Sequence, residues 1–182
     1  DAAGRLVRTT EIKKTPASKG TSSAAIRDVA PLAGGQTLLL VQFEGGRPSV
    51  VRLDRNGKQT LTTDLLRPGR EATLFKIVPA AGGKFLLIGH ESLDALSIAI
   101  DAAGNLLWEK RDDRGRMDFF VDGLATPDGG FVLVGNSGQY DDLGFGPSSV
   151  WVGLYDARGE MKSEVKFPGR HGAIVRTGEG GY

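Results

Sequence analysis

Short apolar runs, divided by polar turns, set the pattern of this chain. QTLLLVQF at Gln36–Phe43 is almost continuously apolar, as in a strand covered on both faces. KFLLIG at 84–89 and FVLVG at 131–135 have the same character. Each of these runs sits inside a set of four. The first set is 24–30, 36–43, 48–53 and 58–64. The second is 72–78, 84–89, 96–100 and 105–110, and the third is 118–126, 131–135, 150–155 and 160–167. Two outlying segments, 5–12 and 173–176, also have strand character, and the polar stretch 13–23 between the first of them and the first set reads as a loop or connector.

The breaks between the runs recur. A D-x-x-G signature begins at Asp1, Asp54, Asp101 and Asp156, in steps of 53, 47 and 55 residues. A Gly-Gly pair begins at Gly34, Gly82, Gly129 and Gly180, in steps of 48, 47 and 51 residues. Two signals interleaved at one period are the mark of a repeat architecture. With the strands of each repeat lettered a to d, Gly-Gly joins a to b and D-x-x-G joins c to d. Gly supplies the left-handed residue that closes a short hairpin, and Asp accepts backbone N–H groups two or three residues on. Two tight hairpins per repeat give a four-stranded antiparallel sheet, and radial stacking of such sheets is the β-propeller.

The expected fold is therefore all-β, a single partial propeller over residues 1–182. Complete repeats fall at 24–64, 72–110 and 118–167, with partial ones at 1–12 and 173–182. A closed ring takes at least about four blades. The expectation is thus a piece of a longer propeller, with completion of the ring by another chain or by missing residues as the alternative.

Composition narrows the functional classes. At 40% apolar and 25% charged residues the chain has the make-up of a soluble globular protein. Twenty-seven glycines, about twice the usual share, sit mostly at the turns. A net charge of +1 supplies no field to gather nucleic acid, and no apolar run is long enough for a transmembrane helix. Absence of cysteine removes disulfides, thiolate metal sites and thiol nucleophiles. A bacterial envelope location, periplasmic or secreted, fits that usage, as does the cytosol. The chain begins at Asp1, so any signal peptide would be out of view.

PDGGFVLVG, a variable loop, a strand ending in D-x-x-G, and then LLWEK together resemble bacterial propeller repeats of the quinoprotein-like and outer-membrane-assembly lipoprotein group. The resemblance implies a WD40-like blade and a bacterial envelope scaffold, and it carries no cofactor over. Trp follows D-x-x-G only at Trp108; Leu61 and Ser163 stand near the equivalent place in the other repeats.

The a–b and c–d turns are uniformly tight, so binding is expected at the opposite end, where the b–c and d–a loops vary. The longest b–c insertion, 136–149, carries Tyr140, Asp141, Asp142 and Phe145. Its aromatics read as a contact surface or as a cover for the sheet edge, and its carboxylates as a calcium site without the regular D-x-D-x-D-G spacing. Arg114 and Arg116 in the d–a loop RDDRGR, with Arg70, read as a solvated self-paired surface or as an anion site. His90, with Glu91 and Asp94, reads as an acid–base or metal group or as a plain surface histidine. Arg27, Asp28, Lys76, Asp122 and Arg176 lie on inner strands, lining a channel or pairing between blades.

The leading expectation is a non-catalytic scaffold that binds a protein or peptide through the b–c/d–a face, with no cofactor and no metal. The alternative is a propeller enzyme or carbohydrate binder with a site at the channel mouth. A purely structural repeat would show no discrete pocket.

Overall fold

The computed structural model describes residues 9–10, 12, 24–43, 47–141, 144–170, 172–177 and 181, with the backbone alone at 139–141 and 144–147. Among the described residues there is no α-helix. The described residues form twelve strands in three four-stranded antiparallel sheets, each following chain order. The first sheet contains β1 (Ala24–Leu32), β2 (Gln36–Phe43), β3 (Pro48–Leu53) and β4 (Gln59–Asp64). The second contains β5 (Thr73–Ala80), β6 (Lys84–Glu91), β7 (Asp94–Ile100) and β8 (Leu106–Asp112). The third contains β9 (Met117–Ala125), β10 (Phe131–Asp141), β11 (Gly144–Tyr155) and β12 (Met161–Pro168). The chain divides into two compact units: Asp1–Arg70 holds the first sheet and Glu71–Tyr182 the other two.

The repeat extends to irregularities that the sequence pattern did not show. In every sheet the first strand carries one extra residue against the second, at Arg27, Phe75 and Val121. The fourth strand carries one against the third, at Thr60, Leu107 and Lys162. A bulge at a fixed register position bends and twists each sheet in the same way.

The D-x-x-G turns close as the sequence implied, with one difference. Asp54, Asp101 and Asp156 each accept N–H groups through Oδ1 from residues two and four ahead, at 2.8–3.0 Å. The glycine N–H, three residues on, bonds the Asp carbonyl instead, at 2.8–3.0 Å. A hydrogen bond from Lys162, joined by the Glu160 and Arg158 N–H groups, outweighs the opposing effect of burial and lowers the Asp156 carboxyl to about 2.

In the first unit, Leu39, Val41, Phe43 and Val51 form a buried cluster against which Ile12 packs. Thr10 Oγ1 donates to the Gly57 carbonyl at 2.9 Å. The rest of the strand expected at 5–12 lies largely outside the described residues.

The core of the second unit lies between its two sheets. Val78, Leu86, Ile88, Ala95 and Ala99 meet Phe120, Phe131, Leu133, Trp151 and Tyr155. Trp151 is fully buried and stands edge-on to Phe120, with ring centroids 4.9 Å apart. It lies directly across the sheet from Gly135, where a Cβ would fall 2.1 Å from the indole Cζ2. The glycine thus makes room for the largest side chain of the core.

Trp108, the tryptophan that follows the second D-x-x-G turn, joins the two sheets of this unit. Its indole N–H donates to the Ala157 carbonyl at 3.1 Å, and its ring covers Gly159, locking the second sheet onto the D-x-x-G turn of the third.

Two boundary expectations are corrected. The segment 173–176, expected as a strand, pairs with no strand among the described residues. Residues 172–177 instead run over the third sheet: Gly172 sits against Val134 and Val150, and the Ile174 N–H donates to Asp122 Oδ2 at 3.0 Å. The segment 136–149, expected as a loop, continues the β10–β11 ladder to Asp141 and Gly144. Its Gly, Ser and Asn content disfavours strand, but register carried outward from the buried part of the hairpin keeps the backbone groups paired.

Candidate functional site

One end of each sheet is closed by the tight a–b and c–d turns. Architecture varies at the other end, and in the third sheet that end holds a cavity of about 350 Å³. Asn136, Ser137 and Gly138 of β10, Phe119 and Val121 of β9, Ser148 of β11, and Arg170 and Gly172 line it. Alternation along β10 dictates which residues reach it. Gly135 faces Trp151 and the intersheet core, so Asn136 takes the opposite face with Val132 and Val134. Its direct partners Phe119 and Val150 share that face.

Asn136 is 3% exposed, and neither Oδ1 nor Nδ2 has a hydrogen-bond partner among the described residues. An amide so placed loses its hydration without replacement, which costs about 1–3 kcal/mol. Phe119 and Val121 supply apolar walls. Ser148 Oγ donates to the Gly169 carbonyl at 2.9 Å and so fixes the segment that carries Arg170.

Phe119 also reaches a second polar group. Its ring lies 6.3 Å from that of His90, whose other neighbour is Phe75 at 5.7 Å. His90 and Asn136 hold the same register position, opposite Thr73 and Phe119 at the start of the first strand of their sheets. The first sheet has Gln42 there, opposite Ala25.

The residues singled out from sequence are distributed as follows. Tyr140 and Phe145 face each other across the β10–β11 ladder, next to the Asp141–Gly144 pair, beyond the last partners of β9 and β12. These four positions form a two-stranded projection; Asp142 lies outside the described residues. His90 Nδ1 is 3.3 Å from the Ser92 carbonyl. The loop expected at 90–94 is a two-residue turn, with Glu91 paired to Asp94 and Ser92 at φ 54° closing it. Glu91 is buried and ion-paired with Arg111, which removes it from the acid–base group. Among the described residues no cluster of three potential metal ligands occurs.

Arg114 is committed to the intersheet contact. Its guanidinium lies 3.8 Å over the Trp151 ring, pairs with Glu164 and sits 3.4 Å from Asp112. Its own N–H donates to Asp118 at 2.7 Å. Tyr155 donates to Asp112 at 2.6 Å; burial and that carboxylate push the phenol well above its usual range. The pairing within the loop holds for Arg114 through Asp112, but its side chain is largely buried instead of solvated. Arg116 is exposed, and Arg70 belongs to the first unit, where its N–H closes a turn onto the Arg67 carbonyl at 3.3 Å. Lys76 pairs with Asp122, the outcome expected if the inner-strand charges pair between sheets.

Sequence reasoning named the tip of the β10–β11 hairpin and missed its root. The signal was present: after the run Phe131–Val134, alternation places Asn136 on a covered face, where a polar side chain is unusual.

The fold defines an all-β protein built from repeated four-stranded antiparallel sheets. No protein-family model matches the chain, and no curated protein matches it. Among solved structures it is similar to a protein of unknown function from Bacteroides caccae, at 18% identity and a TM-score of 0.52. That match covers 80% of this chain and 48% of the other, so the chain spans about half the length of its structural relative. It is also similar to a mutant of the Synechocystis apocarotenoid oxygenase, at 19% identity and a TM-score of 0.45, over 79% of this chain and 34% of that one. The first likeness speaks to fold alone, and the second carries no argument.

Proposed function

We propose that this chain is part of a β-propeller scaffold that binds a protein or peptide, without catalysis, through the end bearing the b–c and d–a connections. The observation that carries this reading is the cavity at that end, walled by Phe119 and Val121 and lined by the stretch Asn136–Gly138 of β10, whose backbone runs on to the Tyr140–Phe145 pair. A concave apolar surface with a few polar groups is the usual form of a binding site.

The propeller arrangement is supported by repeated topology, repeated bulges and the Trp108 lock between consecutive sheets. Val165 and Phe167 on β12 are 58% and 51% exposed, apolar surface that a neighbouring blade would cover. An envelope location remains part of the proposal on the repeat resemblance.

Alanine at both Tyr140 and Phe145 is expected to weaken a bound partner at least tenfold, because aromatic anchors dominate such contacts. Calorimetric titration of a partner, identified by crosslinking in the source cell, measures this. Unchanged affinity in the double variant rules out the hairpin as the contact.

A further inference from the structure

We infer that the outer face of the third sheet binds an extended segment of a partner protein, which pairs antiparallel with residues 173–175 and lays alternate apolar side chains against Leu154, Val165 and Phe167. That surface is separate from the loop end, and of the reading above it needs only the repeat arrangement.

Register identifies the face. His90 and Asn136 hold equivalent positions, so Leu86, Ile88, Ala95 and Ala99 of the second sheet correspond to Val132, Val134, Val150 and Leu154 of the third. The first four lie in the core that the third sheet covers. The same register sets Val165 and Phe167 where the second sheet has Lys110 and Asp112. The third sheet thus repeats, on its outer side, the face by which the second receives a neighbour. Leu154, Val165 and Phe167 are exposed there. Contiguous apolar surface left exposed marks an interaction site.

Residues 172–177 fill only the place of a first strand on that face. Asp122 pairs with Lys76 of the preceding sheet and accepts the Ile174 N–H at 3.0 Å from this segment. The Thr177 N–H donates to the Gly181 carbonyl at 2.8 Å, as that of Thr126 does to Gly130 at 2.9 Å between the first and second strands of the third sheet. No second strand follows among the described residues: Ala173, Ile174 and Val175 make no backbone–backbone hydrogen bond, and Val175 is exposed. Successive N–H groups of an extended segment point to opposite sides. With that of Ile174 on Asp122, those of Ala173 and Val175 face the open edge. An unpaired edge is a template for an added strand, whose alternate side chains then meet the face below. A copy of the third sheet is a poor occupant. It would set Glu160 and Tyr155, the partners of Lys110 and Asp112, against Val165 and Phe167. The added segment therefore carries apolar residues at these two outer positions.

The test selects random linear peptides, displayed on phage, against the immobilised full chain. Enriched peptides are synthesised and titrated against wild type, the double variant Val165→Glu with Phe167→Glu, and Val175→Pro, which deletes one edge N–H. All three side chains are exposed, so both variants should melt as wild type does. Each should bind the peptides at least about tenfold more weakly, and bound peptide should slow hydrogen exchange at 173–175. Full-strength binding to both variants overturns the inference. If that binding is lost with Tyr140→Ala and Phe145→Ala, the loop-end reading stands without it. A wild-type dimer that the double variant turns into a monomer, seen by light scattering, makes a second copy the occupant and overturns it. Protection of 173–175 in the single polypeptide purified from the source cell means that its own chain fills the edge, and overturns it as well. So does a selection that enriches no peptide over the bare support.

Discussion

Trp151→Ala is expected to destabilise the second unit by about 3–5 kcal/mol, the range for truncating a buried tryptophan. Trp151 has no exposed surface and lies at the centre of the intersheet core. Its neighbours cannot collapse into the void: Gly135 has no side chain, and Phe120 is held by the paired β9 and β10. Truncation also takes away the ring beneath Arg114, so a cation loses its aromatic face at the same time. Trp151→Phe should cost less, since the indole N–H has no acceptor among the described residues and its loss breaks no bond. Chemical denaturation followed by circular dichroism measures both. Equal losses in the two variants would show that a phenyl ring restores none of the packing the indole supplies, against the expectation.

The second large effect is expected at Arg114. Arg114→Met keeps most of the apolar stem but removes the guanidinium, leaving Glu164 to Lys166 and Asp112 to Tyr155. Breaking a buried pair costs about 3–5 kcal/mol. The partners here are 21% and 26% exposed, so solvent screening reduces the expected loss to about 2 kcal/mol. The loss should depend on pH. Burial pushes the Glu164 carboxyl up, but hydrogen bonds from Arg114 and Lys166 outweigh it and leave the group below its usual value. A carboxyl lowered in the folded state contributes stability above its unfolded pKa and loses it as pH falls through the folded one. The gap between wild type and Arg114→Met should therefore be full at neutral pH and narrow in acid. A gap that stays constant from neutral to strongly acidic pH would place the effect in packing alone.

Local physics made most of the fold legible. Gly-Gly and D-x-x-G are turn chemistry, readable because glycine and aspartate are placed there by backbone geometry rather than by distant contacts. The continuous apolar runs of β2, β6 and β10 are likewise a direct imprint of strands covered on both faces. What the sequence hid depends on partners far along the chain. Arg114 looks like one charge in a polar loop, and only the folded chain brings Trp151 and Glu164 to it. The segment 136–149 reads as loop because residue preferences say so, whereas its strand character comes from the ladder that β10 and β11 continue outward. The 173–176 segment shows the reverse: strand-like residues that pair with no strand among the described residues.

The candidate site divides along the same line. The end of the molecule was readable, because length varies there and not at the tight turns. The tip aromatics were readable as unusual residues in an insertion. Asn136 was legible only through the alternation of β10, because a lone asparagine after a glycine otherwise looks like the start of a loop. Its meaning comes from the face it occupies, which Gly135 and Trp151 determine from the other side of the sheet.

The most direct test of the account is hydrogen exchange, read by mass spectrometry, on the full chain with and without the partner identified by crosslinking. The account predicts slowed exchange on partner binding at Phe119–Val121 and Asn136–Gly138, with the turns at 126–130 and 156–159 unchanged. Protection confined to those turns, or the same exchange everywhere with saturating partner, would contradict it.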